Sequence, residues 1–319
     1  MTSQPIFTRI SQIEQVAENV CAYTLTASDG STLPAFNAGA HIDLLLDNGM
    51  IRQYSLCSNP EETLQYQIAV LNEQEGRGGS RYIHQQLKTG DTLKINQPRN
   101  HFKLDESADH YLLIAGGIGI TPIMLMAQRL QQLEKHFTLH YLSRTPEQAA
   151  FHQQLQQQFE GQVEFHYSYG DAQRRLDIPA LFADQPEGTQ VYTCGSERLL
   201  QSILAAADAH PEISVHFERF AAAPTADCAE NSTFEIELAG NGKVVEVQPD
   251  QSILEVLRGE GYQIETMCEE GLCGSCEVTL LEGEADHRDS VLTDDEKAEQ
   301  SALMVCCSRA RSPRLKLDL

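Results

Sequence analysis

The chain has 319 residues with 46 acidic and 23 basic side chains, a formal net charge of −23, and nine cysteines. That length holds two or three domains with cores of their own, and the acidic balance argues against nucleic acid and anionic membrane surfaces as partners. An odd cysteine count, and a start (Met1-Thr-Ser-Gln-Pro-Ile-Phe7) without an apolar secretory core, argue against a disulfide framework and point to a cytoplasmic protein. No stretch reads as a transmembrane span, because the most apolar run, Tyr111 to Met126, is broken by Gly116, Gly117, Gly119 and Pro122.

Residues 1 to about 104 read as β-rich. Alternating runs at Val20 to Leu25, His41 to Leu45, Ile51 to Leu56, Gln65 to Val70 and Thr92 to Asn96 are separated by turn signals such as Asp29-Gly30 and Thr89-Gly90-Asp91. Short strands at this spacing favour a small antiparallel barrel. In Arg52-Gln-Tyr54-Ser55 the alternation sends Arg52 and Tyr54 to one face and Ser55 to the other, a plausible wall for a flavin, although an ordinary half-buried strand looks much the same. Glu75-Gly-Arg77-Gly78-Gly79-Ser80 then runs into a helical pattern, with Ser80 expected as the N-cap, leaving free N–H groups for a phosphate and Arg77 and Arg81 for added charge. A flexible connection ahead of a capped helix is the competing structural reading.

From Tyr111 strands and helices alternate. Tyr111 to Ala115 reads as a buried strand, Gly116 to Pro122 as a glycine turn, and Ile123 to Leu133 as an amphipathic helix. Further strands are expected at Phe137 to Leu142, Val163 to Tyr167, Gln190 to Cys194 and Ser214 to Phe217, with helices near Glu147 to Phe159 and Arg198 to Ala207. That order predicts a doubly wound parallel sheet with ligands at the C-terminal strand ends. Gly116, Gly117 and Gly119 would let a dinucleotide pyrophosphate approach the backbone, though the full G-x-G-x-x-G fingerprint is absent. Asp171, after a predicted strand, could accept from a ribose 2′-hydroxyl and favour NADH, whereas Ser143-Arg144 could clamp a 2′-phosphate. Cys194 could sit where nicotinamide approaches, or be a core cysteine.

After Phe220 comes a small-residue linker, Ala221 to Glu230, in which Cys228 fits no ligand pattern. From Glu230 onward there are twenty acidic and eight basic residues, a local net of −12 that could steer a basic partner. Asn241-Gly242 signals a hairpin, Ser252 to Arg258 a helix. Then comes Cys268-x4-Cys273-x2-Cys276, followed twenty-nine residues later by Cys306. This spacing suits a plant-type [2Fe–2S] cluster held by four thiolates, where a zinc ribbon would show two close pairs. Gly271, Gly274 and Ser275 are small where the backbone would pass close to sulfur. Cys307 adjoins Cys306, and either thiol could reach iron; the spacing favours Cys306.

Together these segments resemble the phthalate dioxygenase reductase family, which includes the reductases of vanillate demethylase and carnitine monooxygenase. The resemblance covers nearly the whole chain and rests on Arg52-x-Tyr54-Ser55, Gly76 to Ser80, Gly116 to Pro122, Tyr192 to Gly195, the four cysteines, and the ending Cys306 to Ala310 with Leu315 to Leu319. It implies an antiparallel flavin-binding β-barrel (1–106), a doubly wound NAD-binding α/β domain (107–220), a linker (221–232) and a C-terminal β-grasp ferredoxin-like domain (233–319). By resemblance, Arg52, Tyr54 and Ser55 would contact the isoalloxazine and ribityl chain of FMN, and Gly79 and Ser80 its phosphate. Gly117, Ile118, Gly119, Thr121, Cys194 and Gly195 would meet the dinucleotide, and Phe220 would lie against the flavin.

Nicotinamide gives up two electrons as hydride whereas a [2Fe–2S] cluster takes one, so a flavin that releases electrons singly must stand between them. The expected function is an NADH-dependent reductase component that passes electrons through FMN and the cluster to a Rieske-type terminal oxygenase. An electron-transfer subunit of another flavoenzyme complex and a noncatalytic iron–sulfur redox sensor are the alternatives. No catalytic acid, base or nucleophile is nominated.

Overall fold

The computed structural model describes residues 4–74, 76, 78–220, 231–266, 268–269 and 271–319. Glu75, Arg77, the segment 221–230 with Cys228, Met267 and Glu270 lie outside the described residues. The chain divides into two compact units, Met1–Glu218 and Arg219–Leu319.

The first unit opens with β1 (Ile6–Ala17), β2 (Val20–Ala27), β3 (His41–Leu45), β4 (Ile51–Ser55) and β5 (Gln65–Leu71), then α1 (Gly79–Gln86) and β6 (Thr92–Ile95). These strands form an antiparallel sheet in the order β4-β3-β6-β1-β2-β5. A bridge between Leu56 and Ile68 brings the chain leaving β4 onto β5 and closes the sheet around Ile10, Ile42, Leu44, Tyr66 and Ile95. The sequence pattern misses β1, although it is the sheet's longest strand. Two register irregularities, at Ile10/Gln12 and Gln15/Ala17, interrupt its alternation, and apart from Phe7 its outer face is polar. Asp43, fully buried, accepts from Gln53 Nε2 (3.1 Å), Asn96 Nδ2 (2.9 Å) and Arg99 Nη2 (2.7 Å). Three donors compensate the carboxylate and tie β3, β4 and the chain after β6 together.

The same unit continues with β7 (His110–Gly116), α2 (Ile120–Gln132), β8 (His136–Ser143), α3 (His152–Gln158), β9 (Val163–Tyr167), α4 (Ile178–Ala183), β10 (Gln190–Cys194), α5 (Glu197–Ala207) and β11 (Ser214–Glu218). All five strands are parallel, in the order β11-β10-β7-β8-β9. The chain winds outward from β7 and then returns to place β10 on its other side, so the topological switch point falls between the ends of β7 and β10. The connecting segment is pinned where Tyr192 Oη accepts from Asp105 N (2.7 Å) and Tyr111 Oη donates to Asp105 O (2.8 Å).

The second unit holds β12 (Phe234–Leu238), β13 (Lys243–Val247), α6 (Ile253–Gly259), β14 (Glu277–Glu282), β15 (Ala285–Asp286), α7 (Asp294–Glu299), β16 (Ala302–Met304), β17 (Arg309–Ala310) and β18 (Arg314–Leu317). The order β13-β12-β18-β14-β16, with β12 and β18 parallel, is a mixed sheet over which α6 buries Ile253, Leu254 and Leu257. A capping box between Ser252 and Glu255 starts that helix. Buried Arg309 donates to the carbonyls of Gln251 (2.6 Å), Ser232 (3.0 Å) and Gln248 (3.0 Å), clamping the start of α6 to β12.

Candidate redox sites

Cys276 stands directly before β14 and Cys306 two residues after β16, and these strands pair antiparallel with Glu277 opposite Met304. Val305 N donates to Cys276 O (3.2 Å), so the ladder carries Cys306 back beside Cys276 across the intervening chain. The four thiols fall into two hydrogen-bonded pairs, Cys268 with Cys273 and Cys276 with Cys306. Cys268, Cys276 and Cys306 are buried, and Cys273 is half-buried. Leu272 N donates to Cys268 Sγ (3.3 Å), and Cys273 Sγ lies 3.4 Å from Ser275 Oγ. Its hydrogen bond with Cys268 lowers Cys273 to about 5, while Cys276 is raised, first by its bond with Cys306 and then by burial. Two thiol pairs on one loop and one strand end fit a two-iron cluster with two thiolates on each iron. Cys306 is also hydrogen-bonded to Cys307. The Cys307 thiol fills the space beside Gly271, where an added Cβ would lie 2.5 Å from Cys307 Sγ and 2.9 Å from Asp289 Cα.

In the barrel, Ser55 is buried while Arg52 and Tyr54 are half-buried on the opposite face of β4. The stem of Arg52 runs over the start of α1, where a Cβ on Gly79 would collide with Arg52 Nε and come within 2.7 Å of its Cγ. Arg52 and Gly79 are thus brought together, which the sequence does not show. The N-cap differs from expectation: α1 begins after Gly78, at φ 84° and without a side-chain cap, and Ser80 is the helix's second residue. Its hydroxyl instead accepts from Glu73 N (3.1 Å), because the chain after β5 folds back over the first turn. No side chain of the N-cap residue competes for the N–H groups at this helix start.

At the switch point a short 3-10 turn, Gly117–Gly119, joins β7 to α2. A Cβ on Gly119 would strike Cys194 O and lie 2.9 Å from Gly195 N, while Gly116 and Gly195 pass within 3.2 Å of one another's hypothetical Cβ. These three glycines let the ends of β7 and β10 cross at backbone contact. Gly117 is different, at φ +54° with nothing within 4 Å of an added Cβ, and it leaves open space. Ile118 is half-buried, and Thr121 is buried with Oγ1 donating to Ile118 O (3.0 Å). Asp171 follows the edge strand β9, two strands from β7, and its Oδ1 accepts from Gln173 N (2.9 Å) as a helix cap. Cys194 is buried at the end of β10, its thiol pushed well up by burial and then by Glu218. Phe220, 39% exposed, falls in the second unit.

Glu218, the last residue of β11, is absent from the sequence reading. It pairs in register with Cys194, and its Oε2 is buried with no hydrogen-bond partner among the described residues. Burial raises its carboxyl to about 8. The available signal was a carboxylate ending a parallel strand next to the switch point.

The fold and these sites define a modular oxidoreductase that joins a flavin barrel and a nucleotide-binding sheet to a plant-type iron–sulfur unit. Three family models match: "Oxidoreductase FAD-binding domain" over residues 8–104, "Dimethylamine monooxygenase subunit DmmA-like, N-terminal domain" over 92–212, and "2Fe-2S iron-sulfur cluster binding domain" over 236–311. The chain is 43% identical to the carnitine monooxygenase reductase subunit of Escherichia coli (strain K12), over 98% of this chain and 97% of that one. It is 40% identical to the phthalate dioxygenase reductase of Burkholderia cepacia, over 98% of this chain and 96% of that one. A solved phthalate dioxygenase reductase, described as a modular structure for electron transfer from pyridine nucleotides to [2Fe–2S], superimposes with a TM-score of 0.81 at 39% identity, covering 99% and 98% of the two chains. Full-length CYP116B46 from Tepidiphilus thermophilus (TM-score 0.76, 41% identity) also matches 99% of this chain, which spans 42% of that one. An intact type IV self-sufficient cytochrome P450 monooxygenase (TM-score 0.80, 40% identity) matches the same share of this chain, which spans 41% of its length.

The chain belongs to the phthalate dioxygenase reductase family. It is an NADH-dependent flavin iron–sulfur oxidoreductase, a reductase component of an oxygenase system. The cofactor set read from the sequence, FMN, NADH and a [2Fe–2S] cluster, accords with that membership. Among the described residues no helix is long and apolar enough to cross a membrane.

Proposed function

We propose that this reductase serves a Rieske-type terminal oxygenase in the cytoplasm, with the barrel (1–106), the nucleotide domain (107–220) and the cluster domain (233–319) each holding one carrier and 221–232 linking the last two. The observation that carries the electron route is the pairing of four thiols, Cys268 with Cys273 and Cys276 with Cys306, in a chain that also has a nucleotide switch point. When bound, the flavin supplies the exchange between two-electron hydride chemistry and the single-electron chemistry of the cluster. The residues' task is to hold these groups. The N–H groups of Gly79 and Ser80 would take the FMN phosphate, and Arg52, Tyr54 and Ser55 the isoalloxazine and ribityl chain. A single phosphate cradle favours FMN over FAD.

Gly117 leaves the opening for pyrophosphate, Ile118, Gly119, Thr121 and Gly195 shape its floor, and Cys194 would meet the nicotinamide. The Asp171 cap occupies one carboxylate oxygen and leaves the other for a ribose hydroxyl, which supports NADH over NADPH. Reduced thiols and a cluster suit the cytoplasm. The acidic second unit supports docking to a basic partner surface.

Acid release of the flavin followed by chromatography should give FMN, and FAD in stoichiometric amount would refute that assignment. For the partner, the purified reductase should couple NADH oxidation to substrate turnover by a Rieske oxygenase of its own cell extract. A P450 partner is the second reading, favoured by the match to the self-sufficient P450 chain. Capture and reduction of a haem protein in place of a Rieske protein would establish it.

A further inference from the structure

β8 and β9 run parallel at the outer end of the nucleotide-binding sheet, with His140 in register with Glu164 and Leu142 with His166. Alternation sends Val163, Phe165 and Tyr167 of β9 onto the main core, so Glu164 and His166 project from the other face. His140 joins them from β8, and its Nδ1 lies 3.0 Å from His166 Nε2. Glu164 Oε2 is 3.6 Å from His140 Nδ1 and 3.9 Å from His166 Nε2. The side chains are graded in exposure, at 6% for His140, 23% for His166 and 61% for Glu164, so the group opens to solvent on the carboxylate side. None of the three belongs to the thiol centre or to the switch point.

We propose that His140, His166 and Glu164 bind a late first-row divalent cation, zinc in the first instance, which ties the edge strand β9 to β8. Two imidazole nitrogens and a carboxylate oxygen are a donor set that such ions favour, and water can fill the remaining positions on the open side. Ligand bonds of about 2.0–2.1 Å place two nitrogens on one ion about 2.9 Å apart at a right angle and about 3.3 Å apart at the tetrahedral angle. The observed 3.0 Å lies within that span. Glu164 needs only a small side-chain movement to close, and its exposure leaves it free to make one. A plain imidazole–imidazole hydrogen bond would also set the nitrogens at this distance, but it gives the carboxylate no part.

The experiment uses the full chain loaded with flavin and cluster, so that the cysteines are occupied, stripped of loosely held metal and then dialysed against zinc. Wild type should retain one tightly held equivalent that His166→Gln and Glu164→Gln lose. His136→Gln should retain it, since His136 stacks with His110 at the start of the same strand and offers no third donor of this set. Zinc should raise the thermal midpoint of wild type and of His136→Gln, but not that of the other two variants. Glu164 is exposed, so Glu164→Gln should match wild type in flavin content and cluster absorption, keeping the comparison valid if His166→Gln folds poorly. Equal zinc uptake by wild type and Glu164→Gln, or no uptake by wild type, overturns the proposal.

Discussion

The two units present their reactive groups with different parts of the chain. In Arg219–Leu319 the candidate ligands are side-chain sulfurs, positioned by a strand ladder that returns Cys306 to Cys276. In Met1–Glu218 the corresponding surfaces are mostly backbone, including an uncapped helix start at Gly79 and a crossing of two strand ends at Gly116, Gly119 and Gly195. Side-chain chemistry announces itself by residue type. Backbone chemistry announces itself only by glycine, and glycine has several meanings.

The sharpest way to break this contrast is at the adjacent cysteines. Cys306→Ser should abolish the visible absorption of the cluster and the signal of its reduced form, because it removes one member of a thiol pair. Cys307→Ser should leave both nearly intact. Equal damage from the two changes would mean that the thiols share the role. Gly271→Ala should behave like Cys306→Ser, since its Cβ would press on Cys307 Sγ and the Asp289 backbone at a position where φ is +69°.

The next largest effect separates the units themselves. A chain ending at Ala229 keeps the whole of Met1–Glu218, which has its own continuous core. It should retain flavin and reduce ferricyanide with NADH at a rate close to that of the full chain. Reduction of cytochrome c, or of the oxygenase, should fall to background. Oxygenase-coupled activity in the shortened chain would place the cluster off the electron path.

What was legible in the sequence follows the same division. The cysteine spacing identified the iron–sulfur unit, and the strand–glycine–helix rhythm located every strand of the parallel sheet to within a residue or two. The long strand β1 escaped because register irregularities erase the period-two signal on which a strand is recognised. Ser80 reads as a cap because its residue type fits one, whereas the positive φ of Gly78 sets where the helix begins. Glu218 escapes notice because a lone carboxylate in His216-Phe217-Glu218-Arg219 looks like a solvated strand end, and its place beside the switch point does not by itself say that it is buried. Only the pairing with Cys194 shows that its carboxyl is inside.

The glycines of the switch point test whether they mean packing or access. Gly119→Ala forces a Cβ against the Cys194 carbonyl and Gly195 N, both backbone, so it should destabilise the first unit by about 3 kcal/mol and lower its thermal midpoint. Gly117→Ala meets nothing within 4 Å and carries only the left-handed penalty of about 1 kcal/mol. Its signature should be kinetic instead, with a raised KM for NADH and unchanged flavin content. A raised KM for Gly119→Ala with no loss of stability would reverse the two roles.

The smallest expected effect is a slope rather than a loss. Burial raises Glu218 from an ordinary 4.5 to about 8. Between those values the folded chain keeps a proton that the unfolded chain releases, so the folded state binds more protons and this group makes stability fall as pH rises. Below the lower value, and above the upper one, both states agree in protonation and the contribution is flat. Glu218→Gln removes this titration while preserving size. Its thermal midpoint relative to wild type should therefore climb from pH 5 to pH 8 and level off beyond. A difference that does not change with pH would show that the carboxyl reaches water and titrates as it does in the unfolded chain.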